Sequence, residues 1–149
     1  MEEDELLRLD NQVCFALHAA SRAMDGVYRR ELGDLGLTYP QYLVMLVLWE
    51  QGPVSVKELG AALRLDSGTL SPLLKRMEAA GLVRRDRDVR DERSVRVRLT
   101  PQGEGLRRRA VQVPARILAA TGLGEDELRQ MRRMLTQVTA ALDGALTGT

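Results

Sequence analysis

The sequence predicts a mainly α fold with a small β-wing, a winged helix-turn-helix. Three observations in the 149 residues carry that expectation. Two short amphipathic segments are joined by a tight turn between Val54 and Ala80. A charged, alternating hairpin follows at once and ends at Leu99. Longer segments with three–four apolar spacing lie on both sides of this block.

In chain order, the first long helix is expected over about Leu9 to Leu35. Leu6, Leu9, Val13, Ala16, Ala20, Ala23 and Val27 follow helical spacing, with Leu6 at the edge of the helix or before it. The apolar run Tyr42 to Trp49 is far too short to span a membrane and reads as a helix buried on most sides. Val56 to Leu63 is the first helix of the reader, with Val56, Leu59 and Leu63 on one face. Arg64-Leu65-Asp66 forms the turn. The second helix, about Ser67 to Ala80, buries Leu70, Leu73, Leu74 and Met77, and Gly81 supplies a left-handed C-cap. Leu82 to Arg87 and Ser94 to Leu99 are the strands of the hairpin. Val95, Val97 and Leu99 point inward; Ser94, Arg96 and Arg98 point outward. Thr100-Pro101 is an N-cap with proline at the first helical position. It opens a helix through Leu106, Val111 and Ile117, with a bend expected at Pro114. The last helix starts near Glu125 and carries Leu128, Met131, Leu135, Val138, Leu142 and Ala145 as a narrow stripe, like a coiled-coil seam.

By length the whole chain, 1–149, is one domain, with the reader at about 54–99. The outer stripes either close an intramolecular core or join two copies. A homodimer is the expectation, through helices at about 6–35 and 101–146, because helix-turn-helix proteins match two recognition helices to two half-sites.

Composition narrows the function classes. The net charge is only +1, yet Arg64 to Arg98 holds ten basic residues against six acids. That surplus suits a polyanion. The acids Glu2 to Glu5 are the wrong charge for a signal peptide. A single cysteine leaves no intrachain disulfide, which fits the cytoplasm. One Cys and one His cannot build a zinc site, and no phosphate-cradling glycine loop is present, so no cofactor is expected.

The partner these features imply is double-stranded operator DNA, an inverted repeat with A·T-rich segments. Ser67, Thr69, Ser71, Pro72, Lys75 and Arg76 are expected to face its major groove, with Pro72 distorting the helix or delaying its start. On the hairpin tip Asp88 to Arg93, Arg93 is expected in a minor groove, its guanidinium aimed by a bidentate pair with Asp91. Arg90 is read as a phosphate contact.

The order helix, helix, helix-turn-helix, wing, two helices resembles the MarR regulators, and Leu99-Thr100-Pro101-Gln102-Gly103 fits their pattern. A narrower resemblance lies upstream. Leu9-Asp10-Asn11-Gln12-Val13-Cys14-Phe15, Ser21-Arg22, Leu37-Thr38-Tyr39-Pro40-Gln41-Tyr42-Leu43 and Leu65-Asp66-Ser67-Gly68-Thr69-Leu70 are similar to the organic-hydroperoxide-sensing branch, called OhrR. The resemblance implies a MarR-like homodimeric repressor that releases its operator when hydroperoxide oxidises one cysteine. It places Cys14 as that cysteine, hydrogen-bonded by Tyr28 and Tyr39 of the other subunit.

The chemistry is consistent with that assignment. A thiolate attacks peroxide and becomes a sulfenic acid. Asp10 is expected to cap the helix bearing Cys14, so that the dipole favours the negative sulfur. His18, one turn later, departs from the tyrosine often found there; it is either a donor to the thiolate or a half-exposed spacer. With no second cysteine, resolution falls to a low-molecular-weight thiol, or the sulfur overoxidises. Competing readings are a MarR-type regulator switched by a small aromatic or lipophilic ligand, a thiol peroxidase, and a dimeric scaffold without DNA. The missing resolving cysteine argues against the peroxidase, and the charged wing against the scaffold.

Overall fold

The computed structural model describes residues 2–91 and 93–148. Glu92, part of the sequence-predicted wing tip, lies outside the described residues. The chain groups into two compact units, 1–113 and 114–149.

The first unit opens with a short helix α1 (Glu3–Leu6), a turn of 3₁₀ helix at Leu9–Asn11, and the long α2 (Val13–Leu32). The expected helix from Leu9 to Leu35 is thus shorter at both ends. Gln12 is the true start: its side-chain amide donates to the Leu6 and Arg8 carbonyls at 2.8 Å instead of capping α2. A second 3₁₀ turn, Gly33–Leu35, ends at Gly36, whose φ of 68° only glycine adopts easily.

Helix α3 (Tyr39–Gln51) begins with a full capping box. The Gln41 amide N–H donates to Thr38 Oγ1 and the Thr38 N–H to Gln41 Oε1, with Pro40 in the first turn. As its apolar run implies, Tyr42, Val44, Met45 and Leu48 are buried.

The reader follows. A two-residue strand β1 (Val54–Ser55) leads into α4 (Val56–Leu63), capped reciprocally by Ser55 and Glu58. Arg64 makes the turn in the left-handed region, φ 58°. Helix α5 (Ser67–Ala79) is capped by Asp66, whose Oδ1 accepts the Thr69 N–H at 2.8 Å. Its end is a Schellman motif: the Gly81 N–H donates to Glu78 O and the Leu82 N–H to Met77 O. Leu70, Leu73, Leu74 and Met77 are buried, as their spacing predicts. The expected distortion at Pro72 is a correction, since α5 runs unbroken through it from Ser67.

The wing consists of β2 (Val83–Arg87) and β3 (Val95–Leu99), antiparallel, with Val83 opposite Leu99 and Arg85 opposite Val97. Strand β1 pairs on the other edge of β3, giving the order β1-β3-β2. At two residues, β1 is too short for alternation to reveal. The core lies where α3, α4 and α5 meet the sheet, around Leu48, Leu59, Leu74, Val83 and Val97, all almost fully buried.

Recognition helix and wing are also tied together by charge. The Arg85 backbone N–H donates to Glu78 Oε2 at 3.0 Å, and its guanidinium to Glu78 Oε1 at 3.1 Å. The backbone bond, then the side-chain bond, holds the Glu78 carboxyl below the usual carboxylate range. A lowered folded pKa stabilises above the unfolded value and is lost as pH falls through the folded one. Replacing Glu78 by Gln is therefore expected to flatten the acid limb of a plot of melting temperature against pH from about 6 to 3. An acid limb unchanged by the substitution refutes the coupling.

After β3 the chain forms α6 (Pro101–Gly105) and α7 (Arg107–Ala110), then α8 (Gln112–Thr121), which continues into the second unit. The helix expected from Thr100 through Ile117 is broken twice, at Leu106 and at Val111; Pro114 itself lies inside α8, and the break tied to it falls three residues upstream. A proline cannot donate to the carbonyl four residues before it, and its ring crowds that carbonyl. The break at Val111 sits upstream of the proline for this reason.

In the second unit, α9 (Glu125–Thr147) starts where the sequence placed it. The Gly124 N–H donates to Glu127 Oε1, and acids fill the first turn, where the helix dipole favours them. Met131, Leu135, Val138 and Leu142 remain exposed.

Candidate nucleic-acid interface and thiol site

The outer face of α5 is built as its sequence suggests. Leu73 and Leu74 are inside, while Ser67, Thr69, Ser71, Pro72, Lys75 and Arg76 are all exposed together. Two buried leucines side by side fix the helix rotation, so the polar set projects from one surface.

On the wing, acids neutralise some arginines and not others. Arg98 Nε meets Asp86 Oδ2 at 2.8 Å, and Arg85 is held by Glu78. Arg96 Nη1 lies 3.7 Å from Asp88 Oδ2, and its Nη2 donates to Pro53 O. No ion pair among the described residues engages Arg84, Arg87, Arg90 or Arg93. The cations left available are therefore on β2 and at the tip.

The Asp91 expectation needs correction. Asp91 Oδ1 accepts the backbone N–H of Arg93 at 3.0 Å, and Asp88 Oδ1 accepts that of Arg90 at 2.9 Å. The two acids fold the tip as successive Asx turns. They place the arginines through the main chain, and the Arg93 guanidinium makes no pair with Asp91. An Asp two residues before another residue reaches that residue's amide more readily than the end of its side chain.

Cys14 is exposed near the start of α2, at its positive end. Asp10 does not cap this helix, since its carboxylate is taken by Arg8 at 3.0 Å. His18 lies exposed one turn beyond Cys14, with no hydrogen bond among the described residues.

Tyr28 and Tyr39 come together, with ring centroids 4.5 Å apart, and Tyr42 joins them at 5.9 Å from Tyr28. Tyr42 was missed as part of this group. Its spacing of three from Tyr39 on one helix was the available signal. Burial, aided by Tyr39 and Tyr42, pushes the Tyr28 phenol up to about 12. Burial, then Asp25, raises Tyr39, and burial, then Tyr39, raises Tyr42. All three are O–H donors at neutral pH. Cys14 and Tyr28 share α2 but stand fourteen residues apart, about 21 Å along the axis. The thiol and the phenols of one chain therefore do not form one site.

Fold and surface together define a winged helix-turn-helix DNA-binding regulator. The sequence profile of the MarR family matches residues 37–95. The chain is 46% identical over 129 residues to the organic hydroperoxide resistance transcriptional regulator of Bacillus subtilis, covering 87% of this chain and 88% of that one. It is 52% identical over 128 residues to the transcriptional regulator TtmR of Methylorubrum extorquens, covering 86% of this chain and 66% of TtmR. Reduced AbfR of Staphylococcus epidermidis, solved bound to DNA, superposes with a TM-score of 0.78 at 35% identity, covering 95% and 99% of the two chains. The chain belongs to the MarR family and is a transcriptional regulator of that type. Its relatives place it near the organic-hydroperoxide branch.

Proposed function

We propose that the protein is a homodimeric repressor that holds an A·T-rich inverted-repeat operator and releases it when an organic hydroperoxide oxidises Cys14. The observation that carries this reading is the separation of thiol and phenols. Tyr28 and Tyr39 form a ready donor pair, far along α2 from the Cys14 of their own chain. A second copy whose α2 runs antiparallel to the first would bring the two together. The exposed apolar residues of both chain ends, from Leu6 to Phe15 and from Met131 to Leu146, supply the surface for that pairing. The 46% identity to a regulator named for organic hydroperoxide resistance supports the chemistry.

The redox step balances without a metal. The Cys14 thiolate attacks one peroxide oxygen, the O–O bond breaks, and the alkoxide leaves and takes a proton as the alcohol. Sulfur gains one oxygen and loses two electrons, giving the sulfenic acid. A low-molecular-weight thiol then condenses with it, releasing water and leaving a mixed disulfide. The test is a titration of promoter DNA at stated salt, with and without an organic hydroperoxide. Binding that ignores the peroxide refutes the redox reading and leaves the regulator.

On DNA, α5 enters the major groove with Ser67, Thr69, Ser71, Pro72, Lys75 and Arg76. Arg93 reaches the minor groove, and Arg90 a phosphate. Arg93→Ala is expected to weaken operator binding by about 1–3 kcal/mol and to relax preference at A·T positions. Arg90→Ala should weaken all duplexes alike and reduce the salt slope. Equal operator affinity for wild type and Arg93→Ala rules out the wing contact.

A further inference from the structure

One polar contact of α3 serves neither the DNA-facing surface nor the thiol site. The half-buried Trp49, near the end of α3, donates its indole N–H to the Gly103 carbonyl of α6 at 3.1 Å. Among the described residues no other side chain of α3 hydrogen-bonds to another element. Helix α3 also packs on β3 and α5, and its side chains Val44, Met45 and Leu48 are buried and apolar. Apolar packing is non-directional and permits small slides of one element over another. A hydrogen bond has a preferred length and angle, so it ties the end of α3 to one backbone position.

That position is a junction. The Gly103 N–H donates to Thr100 Oγ1 at 3.1 Å. The Thr100 hydroxyl in turn donates at 2.6 Å to the carbonyl of Gly81, the left-handed residue just past the recognition helix. The Thr100 N–H donates to Leu82 O, at the start of the wing. A displacement of Gly103 therefore reaches both the end of α5 and the root of the hairpin. The other end of α3 holds Tyr39 and Tyr42, packed on Tyr28. Tyr39 and Trp49 are ten residues apart on one helix, about 15 Å along its axis. We propose that Trp49 is the positioning residue that links the tyrosine cluster to the wing. Helix α3 carries a displacement at Tyr39 to the Gly103 carbonyl, and Thr100 converts it into a change of angle between wing and recognition helix. The inference rests on the redox reading above, in which the thiol of a second copy meets Tyr39, and it adds the route within one chain.

The test compares operator affinity before and after organic hydroperoxide, for full-length wild type and Trp49→Phe. Phenylalanine keeps an aromatic ring and removes the N–H. A purely structural Trp49 would weaken the reduced and oxidised forms alike and leave their ratio unchanged. The relay instead lowers that ratio, about tenfold or more in wild type, by about threefold or more in Trp49→Phe. Intact mass should show Cys14 oxidised to the same extent in both. Where the smaller ring unfolds the protein, benzothienylalanine incorporated at the single tryptophan keeps the shape of the indole and lacks its N–H. The same fall in ratio is expected. Because Trp49 is the only tryptophan, fluorescence emission reports on this indole alone. Peroxide should shift the emission of wild type and leave that of Cys14→Ser where it was. A ratio unchanged without the N–H, or a wild-type emission that stays fixed while DNA is released, overturns the relay and leaves the redox reading intact. Wild type that ignores peroxide refutes the redox reading, and the relay with it.

Discussion

Cys14→Ser protein is expected to remain on its operator when treated with an organic hydroperoxide, while wild type loses at least tenfold in affinity. Tenfold is about 1.4 kcal/mol, a modest coupling energy. Serine keeps the size and hydrogen bonding of the thiol but lacks a nucleophile that peroxide can oxidise. Cys14 lies outside the core of its own chain, and serine nearly matches its size and still accepts the same hydrogen bonds, so the fold and the DNA affinity of the untreated protein should be retained. Its partners are tested alongside it. The Tyr39 phenol stays neutral because burial, then Asp25, raises it. It can donate a charge-assisted bond to a thiolate of the second copy, which in turn favours the thiolate. Tyr39→Phe removes that donor and keeps most of the ring packing on Tyr28. It should bind DNA normally and respond to peroxide more slowly. In the proposed dimer the sulfur sits in a packed interface; oxidation would enlarge it there, and such interfaces accommodate volume by shifting a whole element. Such a shift would misplace the two readers on their half-sites. Cys14→Ser protein that still leaves DNA under peroxide would sink the sensor assignment.

The reader was the most legible part of this chain, for a physical reason. Val56 to Leu99 combines two helical faces, caps and an alternating hairpin, each with its own periodicity, and local rules agree throughout. The boundaries of α4 and the burial of Leu70, Leu73, Leu74 and Met77 follow from that agreement. The outer elements were less exact. Leu9 to Leu35 has helical spacing, but spacing does not register that the Asn11 and Gln12 amides turn back onto the carbonyls of Glu5, Leu6 and Arg8. The break at Val111 instead of Pro114 reflects where a proline acts, upstream of itself.

At the site, residue types were readable and their partners were not. Asp91 was expected to pair with the Arg93 guanidinium and instead accepts the Arg93 backbone N–H; a one-dimensional pattern does not separate a bond to a guanidinium from one to an amide. Tyr28 and Tyr39 were paired by resemblance. Their 4.5 Å stacking, and the third ring of Tyr42, required α2 and α3 to be packed together.

The largest effect on stability is expected at Gly103, in the segment that roots the wing. Gly103 is helical and buried, so by propensity alone alanine would be favoured there by about 1 kcal/mol. Packing reverses the sign. A Cβ on Gly103 would run into the Leu82 carbonyl oxygen and meet Leu99 Cδ2 at 3.1 Å. That carbonyl cannot easily retreat, because it accepts the Thr100 N–H at 3.1 Å, and the Thr100 hydroxyl, 3.2 Å from it, also donates to Gly81 O at 2.6 Å. Gly103 is held on its other side too, since its own carbonyl accepts the Trp49 indole N–H at 3.1 Å. Overpacking against fixed backbone typically costs about 1–3 kcal/mol, and Gly103→Ala should lie at the upper end. For a chain of this size that lowers the melting temperature by roughly 6–12 °C. Gly105→Ala is the control, two residues on, where a Cβ meets nothing within 4 Å; it should be neutral or slightly stabilising. The consequence reaches DNA, because Thr100 and Gly81 join the root of the wing to the end of the recognition helix. Forcing α6 away from Leu82 re-aims wing against helix, so operator affinity should fall more in Gly103→Ala than in Gly105→Ala at a temperature where both are folded. A Gly103→Ala protein that melts at or above wild type would show that this close approach does not exist in solution.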